Sequence, residues 1–312
     1  MKKTLILFVL LLIASSGNCQ TLYSKAYGNP KNEPLIFLHG GPGYNSVAFE
    51  LTTAQKLSEH GFYVIVYDRR GEGRSTDQNA AFTFHETNLD LDGIYEKFKL
   101  TEATLIGHSF GGIVGTFYAE KNPTKVKSIV LVAAPVSMQE TFSTILKSSK
   151  KIYTANQDHT NLGYIEMLEK MDKTSLEFSS YCFTHAMQNG FYMPKAPSKE
   201  AISIYNDLKT DTTFGNSAAK MTFEAPTGFW QNENYTSIDL SKHLSVLVKK
   251  EIPLFGMYGV EDGLYGEKQI LQLKKLIPSQ HFEYLVNCSH NVFIDQQDQF
   301  IKALKNWIKN DI

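Results

Sequence analysis

The chain is poor in cysteine. Three cysteines occur in 312 residues, at positions 19, 182 and 288. No C-x-x-C or H-E-x-x-H spacing is present, so the sequence offers no metal site and implies no metal or organic cofactor. Without Cys19, the remaining pair Cys182 and Cys288 has the choice of one disulfide or two thiols, and two buried free thiols are expected. A basic excess is also missing: Lys plus Arg is 31 and Asp plus Glu is 32, a formal net charge of −1. Nucleic-acid binders usually carry such an excess, so nucleic acid is not an expected partner. Glycine (21) and proline (10) are too few for a fibrous or low-complexity chain. No apolar run approaches the roughly 20 residues of a membrane span, so no stable span is expected.

The chain is 42% hydrophobic and 20% charged, enough apolar residue to bury a sizeable core. Its aromatic content is 12%, which suits an aromatic-lined pocket as well as an ordinary core. Lys2 and Lys3 precede an apolar run from Leu5 to Ala14, followed by Ser15, Ser16, Gly17, Asn18 and Cys19. A basic start, about ten apolar residues and a small-residue exit make a secretory signal peptide over residues 1–19. The protein is therefore expected to be exported, to the periplasm or beyond. Lipid anchoring through Cys19 is the rival reading, and Asn18 before the cysteine fits a lipidation signal poorly.

From Pro34 onward, short apolar runs alternate with helical patterns. Leu35–Leu38, Phe62–Tyr67, Ala103–Ile106 and Val126–Ala133 read as strands, and Glu86–Leu100 and Gly111–Lys121 as helices. The rhythm stops at about Pro135. It returns with a strand at Ile252–Tyr258, a helix at Lys268–Leu276, a strand at His281–Val286 and a final amphipathic helix ending in Trp307. Strand–helix alternation predicts an α/β fold with a doubly wound, mostly parallel sheet. The expected organisation is a core of residues 20–135 and 245–312, interrupted by a helical cap over residues 136–244.

Gly107-His108-Ser109-Phe110-Gly111 follows a predicted strand and opens a predicted helix. In that context G-x-S-x-G is a tight, strained turn that lifts a serine hydroxyl above the sheet edge. Ser109 is the expected nucleophile. A serine hydroxyl needs a base, and the base needs an acid to orient it. Asp262 follows the Ile252 strand and His290 follows the last one, in the order Ser, acid, His. Glu261 is the rival acid. Acyl transfer also needs two N–H donors where the oxyanion develops. The glycine-rich stretch His39-Gly40-Gly41-Pro42-Gly43 supplies Gly41, and the residue after the nucleophile supplies Phe110. Asp68-Arg69-Arg70-Gly71-Glu72-Gly73-Arg74-Ser75 reads as a charged loop bracing the site rather than as part of the chemistry.

The segments HGGPG (39–43), DRRGEGRS (68–75), GHSFGG (107–112), GVED (259–262) and CSHNVF (288–293), in this order, resemble the α/β-hydrolase fold. In particular it resembles the prolyl aminopeptidases (proline iminopeptidases) that carry HGGPG. The resemblance implies a secreted serine aminopeptidase acting on small or short-peptide substrates with a free N-terminus. The alternative is a carboxylesterase or lactonase with the same triad, and the remote one a non-catalytic ligand-binding protein. Two departures weaken the peptidase reading. Phe110 stands where these enzymes usually carry Trp, and the cap reads Tyr181-Cys182-Phe183-Thr184-His185 without the glutamate of their Glu-Asn-His-Tyr-Phe motif. An ammonium-binding carboxylate then has to come from elsewhere in the cap. Glu224 and Glu233, flanking Trp230, are the expected substrate-binding residues, with Trp230 as an aromatic wall.

Overall fold

The computed structural model describes residues 22–218, 221 and 223–309. The expected signal peptide and Cys19 lie outside the described residues. Seven strands form one sheet: β1 (Ser24–Tyr27), β2 (Glu33–Leu38), β3 (Phe62–Tyr67), β4 (Ala103–His108), β5 (Val126–Val132), β6 (Leu254–Gly259) and β7 (Phe282–Leu285). Their order is β1-β3-β2-β4-β5-β6-β7, and every pairing is parallel except that of β1 with β3. The sheet is α/β and doubly wound, as the alternation of strands and helices implies.

The composition of the central strands explains their place. β3 (FYVIVY) and β4 (ATLIGH) are buried along their whole length. Parallel strands have helices on both faces, so they read as continuous apolar runs rather than alternating ones. The short antiparallel β1 escaped the sequence reading because its four residues, SKAY, have no apolar run and lie at the sheet edge.

Between β5 and β6 the described residues form helices and no strand of the sheet. They include Met138–Ala155, His159–Lys170, Leu176–Gln188, Lys199–Thr210 and Glu224–Glu233. The long helix Met138–Ala155 is capped by the Ser137 side chain, which accepts from the Glu140 N–H. That is the reciprocal spacing expected at a helix start. Cys182 and Cys288 are both free and buried. No helix among the described residues is long and apolar enough to cross a membrane.

Candidate active site

Ser109 sits between β4 and the helix Phe110–Lys121, with φ 52° and ψ −123°. A side chain at positive φ costs of order 1–3 kcal/mol and persists only where the surroundings impose it. Here they do. A Cβ on Gly111 would stand 2.0 Å from the Leu38 carbonyl oxygen, so the helix can approach β2 this closely only with glycine at that position. The Ser109 N–H donates to the Val132 carbonyl at the end of β5 (3.0 Å). The turn is thus clamped from both sides, and Ser109 remains half-buried at the sheet's C-terminal edge. That edge is where ligands bind in open α/β sheets.

His290 and Asp262 come from the loops after β7 and β6. His290 Nδ1 lies 2.9 Å from Asp262 Oδ2, and both side chains are buried. The other Asp262 oxygen, Oδ1, accepts from the Leu264 N–H (3.0 Å), which fixes the carboxylate plane. A carboxylate on Nδ1 holds the proton there and leaves Nε2 as an acceptor. The rival Glu261 turns the other way, and its Oε2 accepts from the Lys195 N–H at 2.6 Å.

His108, next to Ser109, connects the two loops. Its Nε2–H donates to the His290 carbonyl (3.1 Å), and the two imidazole centroids are 4.9 Å apart. Burial, aided by the nearby His290, pushes the His108 pKa down to about 3, so it is neutral at ordinary pH. Tyr192 and Tyr265 pack on His290 with centroids at 5.1 and 5.9 Å.

Gly41 and Phe110 line the same small cavity as Ser109. The loop carrying Gly41 is held by the charged loop after β3. Arg69 donates from Nη1 to the His39 carbonyl (2.5 Å) and from Nη2 to the Gly40 carbonyl (2.6 Å). Arg69 is paired with Glu72, whose Oε2 accepts from both Arg69 Nη2 (2.8 Å) and the Gly43 N–H (3.0 Å). The pair is almost wholly buried, at 2% and 0% side-chain exposure. The stretch 68–75 therefore braces the glycine loop that the sequence offers for an oxyanion.

The cavity at Ser109 measures about 20 Å³ and is lined by Gly41, Ser109, Phe110, Pro135, Met138, Thr141, Phe183, Leu264 and Tyr265. It holds little more than a water molecule. No carboxylate is among these residues, and the expected Glu224, Glu233 and Trp230 are held elsewhere. Glu233 Oε1 accepts from the Phe84 N–H (2.7 Å), capping the start of the helix Phe84–Phe98. Glu224 lines a different, open groove of about 780 Å³ against Ala80–Thr83, which shares no residue with the Ser109 cavity. Trp230 donates its Nε1–H to the Thr174 carbonyl (2.8 Å) within the helical segment. Phe229, beside Trp230, packs edge-on against Phe110 (5.1 Å between centroids). The lining residues Met138, Leu264 and Tyr265 had no motif to mark them.

A second buried carboxylate supports the histidine loop. Asp295 Oδ2 accepts from the Ser289 N–H (2.8 Å), and Oδ1 accepts from the Tyr205 hydroxyl (2.7 Å), which belongs to helix Lys199–Thr210. Burial pushes the Asp295 carboxyl up to about 6, against the pull of those hydrogen bonds. A carboxyl with a raised folded-state value stabilises the fold below its unfolded value, and the contribution is lost as pH rises through about 6. Asp295→Asn removes that titration. Relative to wild type, the variant is expected to gain on the order of 2 kcal/mol between pH 4.5 and 7. Urea unfolding at the two pH values measures the gap, and an unchanged gap would refute the assignment.

The comparisons with known proteins fit this architecture. Proline iminopeptidase of Lactobacillus delbrueckii subsp. bulgaricus is 26% identical over 305 residues, covering 94% of this chain and 95% of the relative. That of Clostridioides difficile is 25% identical over 284 residues, covering 88% and 89%. Among solved structures, proline iminopeptidase of Mycobacterium smegmatis superposes with a TM-score of 0.65 at 17% identity, covering 93% and 94% of the two chains. An esterase from Exiguobacterium antarcticum superposes with a TM-score of 0.60 at 18% identity, covering 92% and 95%. Structural likeness at such identities speaks for the fold alone. The alpha/beta hydrolase fold family matches residues 33–297, from the first residue of β2 to beyond the histidine loop. A strained serine turn after β4, a carboxylate–imidazole pair after β6 and β7 and this match agree: the chain belongs to the α/β-hydrolase family, resembles its prolyl aminopeptidases, and is a hydrolase enzyme.

Proposed function

We propose that this chain is an exported serine hydrolase that works through an acyl-enzyme and cleaves small esters. In the proposed mechanism the Ser109 hydroxyl attacks the substrate carbonyl while His290 Nε2 takes its proton. The Asp262 carboxylate holds the proton on Nδ1 and stabilises the imidazolium that forms. The N–H groups of Gly41 and Phe110 receive the oxyanion, and Phe110 adds the positive end of its helix. His290 then protonates the leaving group, and water releases the acyl group by the same steps in reverse order. Residues 136–244 act as the cap that covers Ser109 and sets specificity. The basic start and apolar run of residues 1–19 support export.

The observation that carries the ester reading is the lining of the Ser109 cavity, in which the hydroxyls of Ser109, Thr141 and Tyr265 stand among apolar side chains and no carboxylate is present. An exopeptidase has to bind an ammonium, usually by a charge-assisted hydrogen bond worth about 1.5–3 kcal/mol. A buried ammonium left without such a partner costs several kcal/mol. The second reading, an aminopeptidase of the iminopeptidase type, is favoured by the names of the relatives and by HGGPG. A panel of acetyl, butyryl and longer p-nitrophenyl esters, run beside proline 2-naphthylamide and its N-acetylated form, separates the two. Hydrolysis of the short esters with neither amide cleaved is expected. Cleavage of the free-amine amide alone would replace the esterase by the aminopeptidase.

A further inference from the structure

The general base of the proposed triad is held by the segment between β5 and β6 as well as by its own loop. After the helix Leu176–Gln188 the chain turns at Gly190 (φ 68°) and then touches both loops that carry Asp262 and His290. The Phe191 carbonyl accepts two hydrogen bonds there. One comes from the Gly263 N–H in the acid loop (3.2 Å), the other from the Ser289 hydroxyl in the histidine loop (2.8 Å). A carbonyl oxygen has two lone pairs, so both bonds can exist at once. The contact has little room to slide, since a Cβ on Gly263 would stand 2.3 Å from the Phe191 ring. The same stretch adds Tyr192, whose ring makes a T-shaped contact with His290 (5.1 Å between centroids), and the Lys195 N–H, which donates to Glu261 (2.6 Å).

We propose that Ser289 is a positioning residue: through the Phe191 carbonyl it ties the histidine loop to the acid loop and so keeps the His290 imidazole aligned with Asp262. The inference rests on the reading of His290 as general base and Asp262 as its orienting acid. Ser289 is fully buried and directly precedes His290, so its side chain acts on the base through a single peptide unit. Its hydroxyl has one proton to give. The competing acceptor, the Glu261 carbonyl, lies at 3.5 Å, so the proton belongs to Phe191. The Ser289 N–H is engaged separately by Asp295 (2.8 Å). The two loops also share a direct backbone bond, from the Glu261 N–H to the Cys288 carbonyl (2.9 Å). The Phe191 carbonyl is a second attachment, made to both loops from a third segment. Losing the Ser289 end of it leaves the imidazole freer to turn relative to the carboxylate.

Ser289→Ala removes that bond and little volume. The Phe191 carbonyl keeps its Gly263 donor, so no buried acceptor is orphaned and the variant is expected to fold. Its kcat for acetyl esters should fall about 3–10-fold, the range one neutral hydrogen bond spans, with KM unchanged. Fluorophosphonate labelling should slow by the same factor. A role in the fold alone would lower the melting temperature and leave both rates where they are. Proton NMR reads the alignment itself, from the Nδ1–H resonance that His290→Ala lacks. In Ser289→Ala that resonance should move upfield and exchange faster with water. If Ser289→Ala does not fold, Ser289→Cys keeps the shape with a weaker donor and should show smaller changes in the same directions. Wild-type rates with an unmoved resonance in a folded variant overturn the inference, as does a change confined to KM. The parent reading fails differently: persistent labelling of Ser109→Ala overturns the nucleophile, whereas its loss together with unaltered Ser289 variants leaves the triad standing and removes only the role of Ser289.

Discussion

Ser109→Ala is expected to abolish fluorophosphonate labelling and to lower turnover by about 10⁶ while leaving the protein folded. The magnitude follows from the proposed chemistry: members of a nucleophile–base pair act as a unit, so removing the serine leaves His290 with no proton to take. His290→Ala should cost about as much, and Asp262→Asn less, because the imidazole survives in a wrong tautomer. The melting temperature should hold or rise. Alanine still has to adopt φ 52°, but the cavity loses its buried hydroxyl, and the clamp at Gly111 and Val132 is unchanged. Mass spectrometry of the labelled wild type should place the adduct on the peptide containing Ser109. An adduct elsewhere, or an alanine variant within tenfold of wild-type activity, would end the serine-hydrolase reading.

Arg69→Met is expected to be the most damaging substitution away from the proposed triad. It removes the donors to the His39 and Gly40 carbonyls and strands the Glu72 carboxylate in a fully buried position. Breaking a buried pair from one side typically costs 3–5 kcal/mol, because a charge is left uncompensated. The loop that presents the Gly41 N–H loses its brace at the same time, and one lost oxyanion donor costs about 10²–10³ in kcat. An oxyanion exists only along the reaction path, so KM should change little. The double variant Arg69→Met/Glu72→Leu separates the two effects. Apolar replacement of both charges should recover much of the stability, since no lone charge remains buried. It should not recover kcat, since the His39 and Gly40 carbonyls still lack the guanidinium. Urea unfolding and ester kinetics on the three proteins provide the check. Recovery of both quantities together would mean that Arg69 serves the fold only.

Much of the framework is legible in the sequence. β3 and β4 are continuous β-branched and aromatic runs, and only a strand buried on both faces has such a pattern. Gly107-x-Ser109-x-Gly111 at a strand end admits one local geometry, because a Cβ at either glycine meets backbone within 3 Å. Asp68–Ser75 reads as a charged loop bracing the site, and in the structure its Arg69–Glu72 pair holds the glycine loop. Each of these features is marked by a short stretch of sequence, so composition and spacing suffice to find it, although the contacts it makes can be distant in the chain.

What the sequence by itself determined is the succession of elements, the strained serine turn and the chain order of serine, acid and histidine. Only the tertiary structure decided which groups converge there. Asp262 and Glu261 are neighbours, yet one lies 2.9 Å from His290 while the other turns to the Lys195 N–H. Glu224, Glu233 and Trp230 sit in an aromatic stretch that suggests a pocket, but Phe229 packs on Phe110 and carries them to other partners. Tyr265 and Asp295 have no motif at all, and their partners Ala133 and Tyr205 are brought to them from distant parts of the chain. Backbone pattern repeats with the period of a helix or strand and so leaves a trace in the sequence. The direction of a buried side chain depends on what packs against it from far along the chain, and no local periodicity encodes that.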